Sequence, residues 1–175
     1  MRLVVGSLLI LAGCSGPEAP GHERREAPRD DQGDIVREAL SYQIREYEAI
    51  QRRASGLPGV VFVGTVSRGG REPIGDVDPG LLAKLRSDTF TIRQASLSEI
   101  RGKTPGPNFI TDRVSGERGI RILADSSATS GDAATIEIFN AMSSYDGVGA
   151  EYRLTLKRDG GAWKVERHDR RGGMP

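Results

Sequence analysis

The last part of the chain is dominated by two alternating segments that a tight turn separates. In residues 151–158 the apolar Tyr152, Leu154 and Leu156 alternate with polar side chains, and in residues 162–167 Trp163 and Val165 share one face. Strict alternation is typical of a half-buried β-strand, because successive side chains point to opposite faces. The Asp159-Gly160-Gly161 run between the two segments is a strong signal for a hairpin turn. The sequence therefore predicts an antiparallel hairpin whose apolar face packs against a core.

Five further segments have the composition of strands. Residues 60–66 are apolar and largely β-branched, which favours a strand with much of both faces covered. The other four segments are residues 89–93, 109–112, 119–124 and 134–142. Because the later strands follow one another directly, we expect them to pair as antiparallel hairpins.

A helical pattern precedes the strands. Apolar side chains recur there at intervals of three and four residues, which places them on one face of a helix: Val36, Leu40, Ile44, Tyr47 and Ile50. Asp34 is a suitable N-cap, and Gly56-Leu57-Pro58 stops the helix. The pattern predicts an amphipathic helix over residues 35–53 with a solvated charged face.

A second, shorter helix is predicted at Asp78-Pro79, with Asp78 as its cap and Pro79 in the favoured first position. It extends to Leu85. The stretches 67–77 and 99–108 are rich in Gly, Pro and charge and are predicted to be loops.

These elements predict an α+β domain over residues 34–171, followed by a tail at 172–175. The long N-terminal helix packs on a curved antiparallel sheet of about five to seven strands, with the short helix beside it. The element order over residues 35–168 and the terminal Tyr-x-Leu-x-Leu-x-Arg-Asp-Gly-Gly-x-Trp-x-Val phrase resemble the cystatin-like or nuclear-transport-factor-two-like architecture. That resemblance implies a fold that hosts enzymes, ligand-binding cones and structural modules alike, so it favours no single function. The facing Asp and His of the usual conical pocket are not evident in this sequence.

The N-terminus carries the most specific motif. Residues 3–11 form an apolar segment after Arg2 that is too short to cross a hydrocarbon core of ~30 Å as a helix. It ends in Leu11-Ala12-Gly13-Cys14, which resembles the lipobox of bacterial lipoproteins. The resemblance implies a signal peptide at residues 1–13, cleavage between Gly13 and Cys14, and acylation of Cys14, which then holds the protein to a membrane.

Residues 14–33 are rich in Pro, Gly and charge and are predicted to be a flexible acylated tether. Ser15 resembles the residue at this position in lipoproteins sorted to the outer membrane of diderm bacteria. We therefore expect the domain to lie in the cell envelope, with the outer membrane facing the periplasm as the site of the anchor. The chain carries 25 basic and 24 acidic residues, a balance that predicts no nucleic-acid partner.

Candidate chemical groups are few. His168 lies beside Asp169, but neighbours on a strand point to opposite faces, which favours an exposed strand-end histidine over a catalytic dyad. Tyr42 and Tyr47 on the helix are core residues or line a pocket, with Tyr145 and Asp146 at its rim.

Two other motifs are incomplete. Asp76 and Asp78 lack the further ligands of a calcium loop, and the 67–71 loop lacks the Lys-Ser/Thr ending of a phosphate loop. Cys14 is the only cysteine, which excludes an internal disulfide. We assign no catalytic residue, metal ligand or cofactor.

Three functions are compatible with these observations. The first is a non-enzymatic envelope lipoprotein whose domain binds another envelope protein or a small apolar ligand. The second is a small hydrolase or isomerase of the cone-shaped fold, and the third is an assembly subunit that accepts another chain by strand addition at a sheet edge.

Overall fold

The computed structural model describes residues 31–53, 58–66, 74–102, 108–125, 127–141 and 149–172. The predicted signal peptide, Cys14 and most of the predicted tether lie outside these residues. Within the described part of the chain, no helix combines the length and hydropathy required to cross a membrane.

The long helix α1 spans Asp31–Arg53 and is the main element on one face of the sheet. It begins three residues before the predicted cap at Asp34, so residues 31–33 belong to the helix and not to the tether. Acidic side chains in its first turn and Arg52 and Arg53 in its last turn complement the helix dipole. An ion pair between Asp31 and Arg158 ties the first turn to the sheet.

The apolar stripe of α1 is confirmed over most of its length and ends earlier than predicted. Its buried members are Ile35, Val36, Ala39, Leu40, Gln43, Ile44 and Tyr47. Ile50 is 46% exposed and does not join the core.

In the described part of the chain ten strands follow, together with the short helix α2 at Pro79–Leu82 and a 3-10 turn at Ala95–Leu97. The strands are β1 Val60–Thr65, β2 Gly75–Asp76, β3 Thr91–Gln94, β4 Ser98–Gly102, β5 Asn108–Asp112, β6 Gly119–Ala124, β7 Ala128–Ser130, β8 Ala133–Ala141, β9 Gly149–Asp159 and β10 Ala162–Gly172. The predicted cap of α2 is confirmed, since the Asp78 carboxylate accepts hydrogen bonds from the backbone N–H groups of Gly80 and Leu81.

Eight of the strands form one mixed sheet in the order β10-β9-β8-β6-β1-β2, with β3 beside β1 and β7 beside β8. The α+β class is confirmed, but the expectation of a wholly antiparallel sheet of five to seven strands is wrong. β1 pairs in parallel with both β3 and β6. Alternation of side chains reveals the pleat of a strand but not the direction of its neighbours, and for this reason the sequence did not predict the parallel pairs.

The predicted terminal hairpin is confirmed. β9 and β10 pair from Asp159 and Ala162 onward, and Gly160 and Gly161 have φ values of +57° and +83° in the turn. Positive φ at both central residues is the requirement of a type I′ turn. β10 runs to Gly172, five residues beyond the predicted strand end and into the predicted tail.

The predicted loop at residues 99–108 is wrong at both ends. Residues 98–102 form β4, which pairs with β5 as a separate two-stranded sheet. The Pro and Gly residues that dominate this stretch obscured a strand only five residues long.

The core occupies both faces of the central strand β1. Val61 and Val63 face α1, whereas Val60 and Phe62 face Ile110 of the β4–β5 hairpin. The prediction that residues 60–66 form a strand covered on both faces is therefore confirmed for β1. The hairpin is joined to the main sheet by an ion pair between the fully buried Asp112 and Arg93, whose charged atoms lie 2.6 Å apart.

Candidate functional site

Polar and aromatic side chains gather between the second half of α1 and the ends of three strands. Asn140 follows Ile136 and Ile138 on the helix-facing side of β8, and Ile138 pairs with Tyr152 on β9. We call this group the polar cluster: Tyr42, Gln43 and Tyr47 of α1, Asn140 of β8, Tyr152 of β9 and His168 of β10.

His168 lies at the centre of the aromatic part of this cluster. Its Nδ1 atom is 3.4 Å from the Tyr42 hydroxyl, and the two rings meet edge to face at a centroid distance of 5.4 Å. The ring of Tyr152 is tilted against it at 4.6 Å. The expectation of an exposed strand-end histidine is wrong, because β10 continues to Gly172 and the two tyrosines half-bury the imidazole.

Asp169 does not act on His168. Its carboxylate accepts a 2.8 Å hydrogen bond from Arg167, two residues away on the same face of β10. The prediction that Asp169 and His168 point to opposite faces is consistent with this contact. The histidine is oriented by a phenol and not by a carboxylate.

Tyr47 is buried between the helix and the sheet. Burial raises the pKa of Tyr47 to about 12, with a smaller contribution from the nearby Tyr152 and an opposing one from the Asn140 amide. Burial also raises the pKa of Tyr42, assisted by the adjacent Glu46 and opposed by Arg45. Both phenols are therefore neutral at physiological pH and can donate hydrogen bonds.

Several buried polar atoms of the cluster have no hydrogen-bond partner among the described residues. They are Gln43 Oε1, both polar atoms of the Asn140 amide, and His168 Nε2. Gln43 and Asn140 are each only 3% exposed. The Asn140 amide lies close enough to Tyr47 to affect its pKa, but it completes no well-formed hydrogen bond.

An unsatisfied buried polar group costs roughly 1–3 kcal/mol, and folded proteins contain few of them. The unsatisfied polar atoms of the polar cluster lie together beneath α1, so they lower the stability of the fold relative to a core of apolar side chains. Acceptors, amide donors and neutral phenols together suit an uncharged ligand that carries hydrogen-bonding groups.

The other candidate residues have structural roles or lie outside the described residues. Asp76 accepts hydrogen bonds from the backbone N–H and the hydroxyl of Ser96, and Asp78 caps α2. The 67–71 loop, Tyr145 and Asp146 lie outside the described residues. Within the described ranges, no group of three potential metal ligands lies together.

Sequence reasoning named Tyr42, Tyr47 and His168 but missed Gln43, Asn140 and Tyr152 as members of one site. A usable signal was present for two of them. Gln43 occupies an inward position of the helical stripe between Leu40 and Tyr47, and Asn140 occupies an inward position of the β8 alternation. A polar residue at a position that the periodicity assigns to the core is the mark of a buried polar site.

No family profile, curated protein or solved structure matches this chain.

Proposed function

We propose that the chain is a bacterial envelope lipoprotein whose α+β domain is a non-enzymatic binding module. The lipid anchor is inferred from the sequence Leu11-Ala12-Gly13-Cys14, which follows a nine-residue apolar segment. Cleavage before Cys14 and acylation of that residue leave the domain attached to the membrane. More than one acyl chain provides stable attachment, since a single chain binds only marginally.

The segment between the anchor and the domain supports this arrangement. Residues 15–30 precede α1 and, fully extended, span about 50 Å at ~3.3 Å per residue. This length gives the domain access to components at some distance from the membrane surface. Ser15 favours the outer membrane, with the domain facing the periplasm, in a diderm host.

The polar cluster supports binding as the activity of the domain. Gln43 and Asn140 are buried and offer hydrogen-bonding atoms that the described residues do not satisfy. Their chemistry favours a small ligand with polar groups in place of the apolar ligand expected from the sequence. Tyr42 and His168 are only half-buried, so the part of the cluster that they form is partly exposed to solvent.

A hydrolase or isomerase is the second candidate, and the 3.4 Å contact between Tyr42 and His168 is the observation that favours it. The tyrosines argue against acid–base catalysis, because burial moves their pKa values away from neutrality. Asp169 is engaged by Arg167. A binding function explains the same buried polar residues and requires no acid or base with a pKa near neutrality.

Strand addition has less support. β10 forms one edge of the main sheet and is eleven residues long, but its register shifts between Val165 and Arg167 and again between Arg170 and Gly172. Bulges and charged side chains are the features that protect natural edge strands from pairing with other chains.

The anchor is tested by expressing the full chain in a host that processes lipoproteins and measuring intact mass and membrane partition. Wild type is expected to lose residues 1–13, gain the mass of the lipid and sediment with membranes. Cys14→Ala is expected to keep its signal and gain no lipid mass.

Ser15→Asp is the matched control for sorting. It is expected to be acylated normally but to move to the inner-membrane fraction. A wild-type chain that retains residues 1–13 or carries no lipid would refute the anchor.

A further inference from the structure

Exposed apolar side chains are concentrated around the β4–β5 hairpin. Four large apolar side chains are exposed among the described residues, and three of them lie within residues 97–114: Leu97 at 37%, Ile100 at 52% and Val114 at 76%. The fourth, Ile50, lies on α1. Exposed apolar side chains that cluster in this way mark interaction surfaces.

The three side chains belong to one corner of the molecule. The backbone N–H of Arg113, the residue before Val114, donates a 2.9 Å hydrogen bond to the Leu97 carbonyl, so the two chain segments are adjacent at this point. Ile100 and Arg113 line the same open groove, of about 460 Å³. We call Leu97, Ile100, Arg113 and Val114 the apolar corner.

The charge around this corner is positive. The described residues between positions 93 and 121 carry five basic and three acidic side chains, in a chain whose formal net charge is only +1. Arg101 is paired with Glu99, and Glu117 is exposed. Asp112, one of the three acids, is buried and paired with Arg93. Arg113 and Arg118 are exposed, and the guanidinium of Arg118 lies 3.7 Å from the centre of the Phe109 ring.

We propose that the apolar corner docks on the surface of the anionic phospholipid bilayer that holds the lipid anchor. Exposed aliphatic side chains enter the interfacial region of the bilayer, while the surrounding arginines attract anionic headgroups. The inference rests on the proposed lipid anchor. Residues 15–30 are long enough to let this face turn toward the same membrane.

The experiment uses the acylated protein with one introduced cysteine. Cys14 is the only native cysteine and its sulfur carries lipid, so Val114→Cys provides the only free thiol for a fluorescent label. Ile50→Cys, the fourth exposed apolar position, is the matched control on α1. Intact mass establishes acylation before the measurement, so failure of the anchor is distinguished from failure of docking.

Each labelled protein is inserted into vesicles of phosphatidylethanolamine and phosphatidylglycerol, and into vesicles of phosphatidylcholine alone. A quencher attached to the lipid chains is expected to quench the label at position 114 at least severalfold more than the label at position 50. The difference is expected only in the anionic vesicles, and Arg113→Gln is expected to reduce it.

Equal quenching at the two positions would overturn the proposal. So would quenching at position 114 that does not depend on phosphatidylglycerol. The label at position 114 could instead become more shielded as protein concentration rises, without being quenched by the lipid chains. That result would assign the apolar corner to contacts between copies of the protein and would also overturn the proposal.

Discussion

The Tyr42 hydroxyl lies 3.4 Å from Nδ1 of His168 and joins α1 to the last strand across 126 residues of sequence. Tyr42→Phe removes this contact and keeps the ring, so we expect the free energy of unfolding to fall by about 0.5–1.5 kcal/mol. His168→Ala is expected to cost more, since both ring contacts are lost.

A double-mutant cycle on Tyr42→Phe and His168→Ala, measured by urea denaturation, isolates the pair. The expected coupling is about 1 kcal/mol. Additive effects would mean that the two side chains are neighbours without a stabilising interaction.

Replacement of Asn140 by an apolar residue of similar size tests whether the polar cluster lowers the free energy of unfolding. Asn140 is buried and its amide atoms have no hydrogen-bond partner among the described residues. Asn140→Leu is therefore expected to raise the free energy of unfolding by about 1–3 kcal/mol, because it removes an unsatisfied polar group. Chemical denaturation measures the change.

Ile138→Asn provides the converse control, since it adds a polar group to the same face of β8 and is expected to destabilise the fold. A loss of stability in Asn140→Leu would identify the amide as a structural group.

The alkaline limit of stability is expected to depend on Tyr47. Burial raises the pKa of its phenol from 10.0 to about 12. Between these pH values the unfolded chain releases the proton while the folded chain keeps it, so stability falls as pH rises through this range. The contribution present below pH 10 is about 2–3 kcal/mol at ~1.4 kcal/mol per pKa unit.

Tyr47→Phe is expected to remove this component of the alkaline transition, as measured by unfolding curves between pH 9 and about 12. The same slope in wild type and variant would show that Tyr47 ionises normally.

The ion pair between Asp112 and Arg93 is expected to be essential for the hairpin that carries the apolar corner. Asp112 is fully buried, and its other carboxylate oxygen accepts hydrogen bonds from the backbone N–H groups of Val114 and Ser115. Asp112→Ala is expected to destabilise the protein by about 3–5 kcal/mol, because Arg93 and the turn both lose their partner.

Asp169→Ala is the control, because its pair with Arg167 is on the surface. It is expected to cost less than about 1 kcal/mol. Similar losses of stability in Asp112→Ala and Asp169→Ala would contradict the structural role given to the buried ion pair.

The sequence predicted local structure better than strand pairing. The helix, the terminal hairpin and the strand at 119–124 follow from periods of 3.6 and 2 residues, and the strand at 60–66 follows from its run of β-branched apolar residues. Both signals depend only on neighbouring positions. The parallel partners of β1 depend on how the chain crosses from β1 through α2 to β3, and no local pattern encodes that path. Short strands such as Gly75–Asp76 carry too few side chains to produce a pattern.

The candidate site was predictable only in part. Tyr47 lies on the helical stripe and Tyr42 on the same helix, but the contact of Tyr42 with His168 arises from the pairing of β9 with β10, which places the histidine under the helix. In the sequence, no feature distinguishes His168 from an exposed histidine near the end of a strand. The unpartnered amides of Gln43 and Asn140 are visible only once the elements are packed.

The binding proposal is tested most directly by a crystal structure and mass spectrometry of protein purified from its own membranes. We expect a bound small molecule to contact Gln43 Oε1, the Asn140 amide and His168 Nε2, and to be released on denaturation. Protein carrying Asn140→Leu should release much less of it. If only water contacts these atoms, and wild type and variant release the same compounds, the polar cluster is not the binding site.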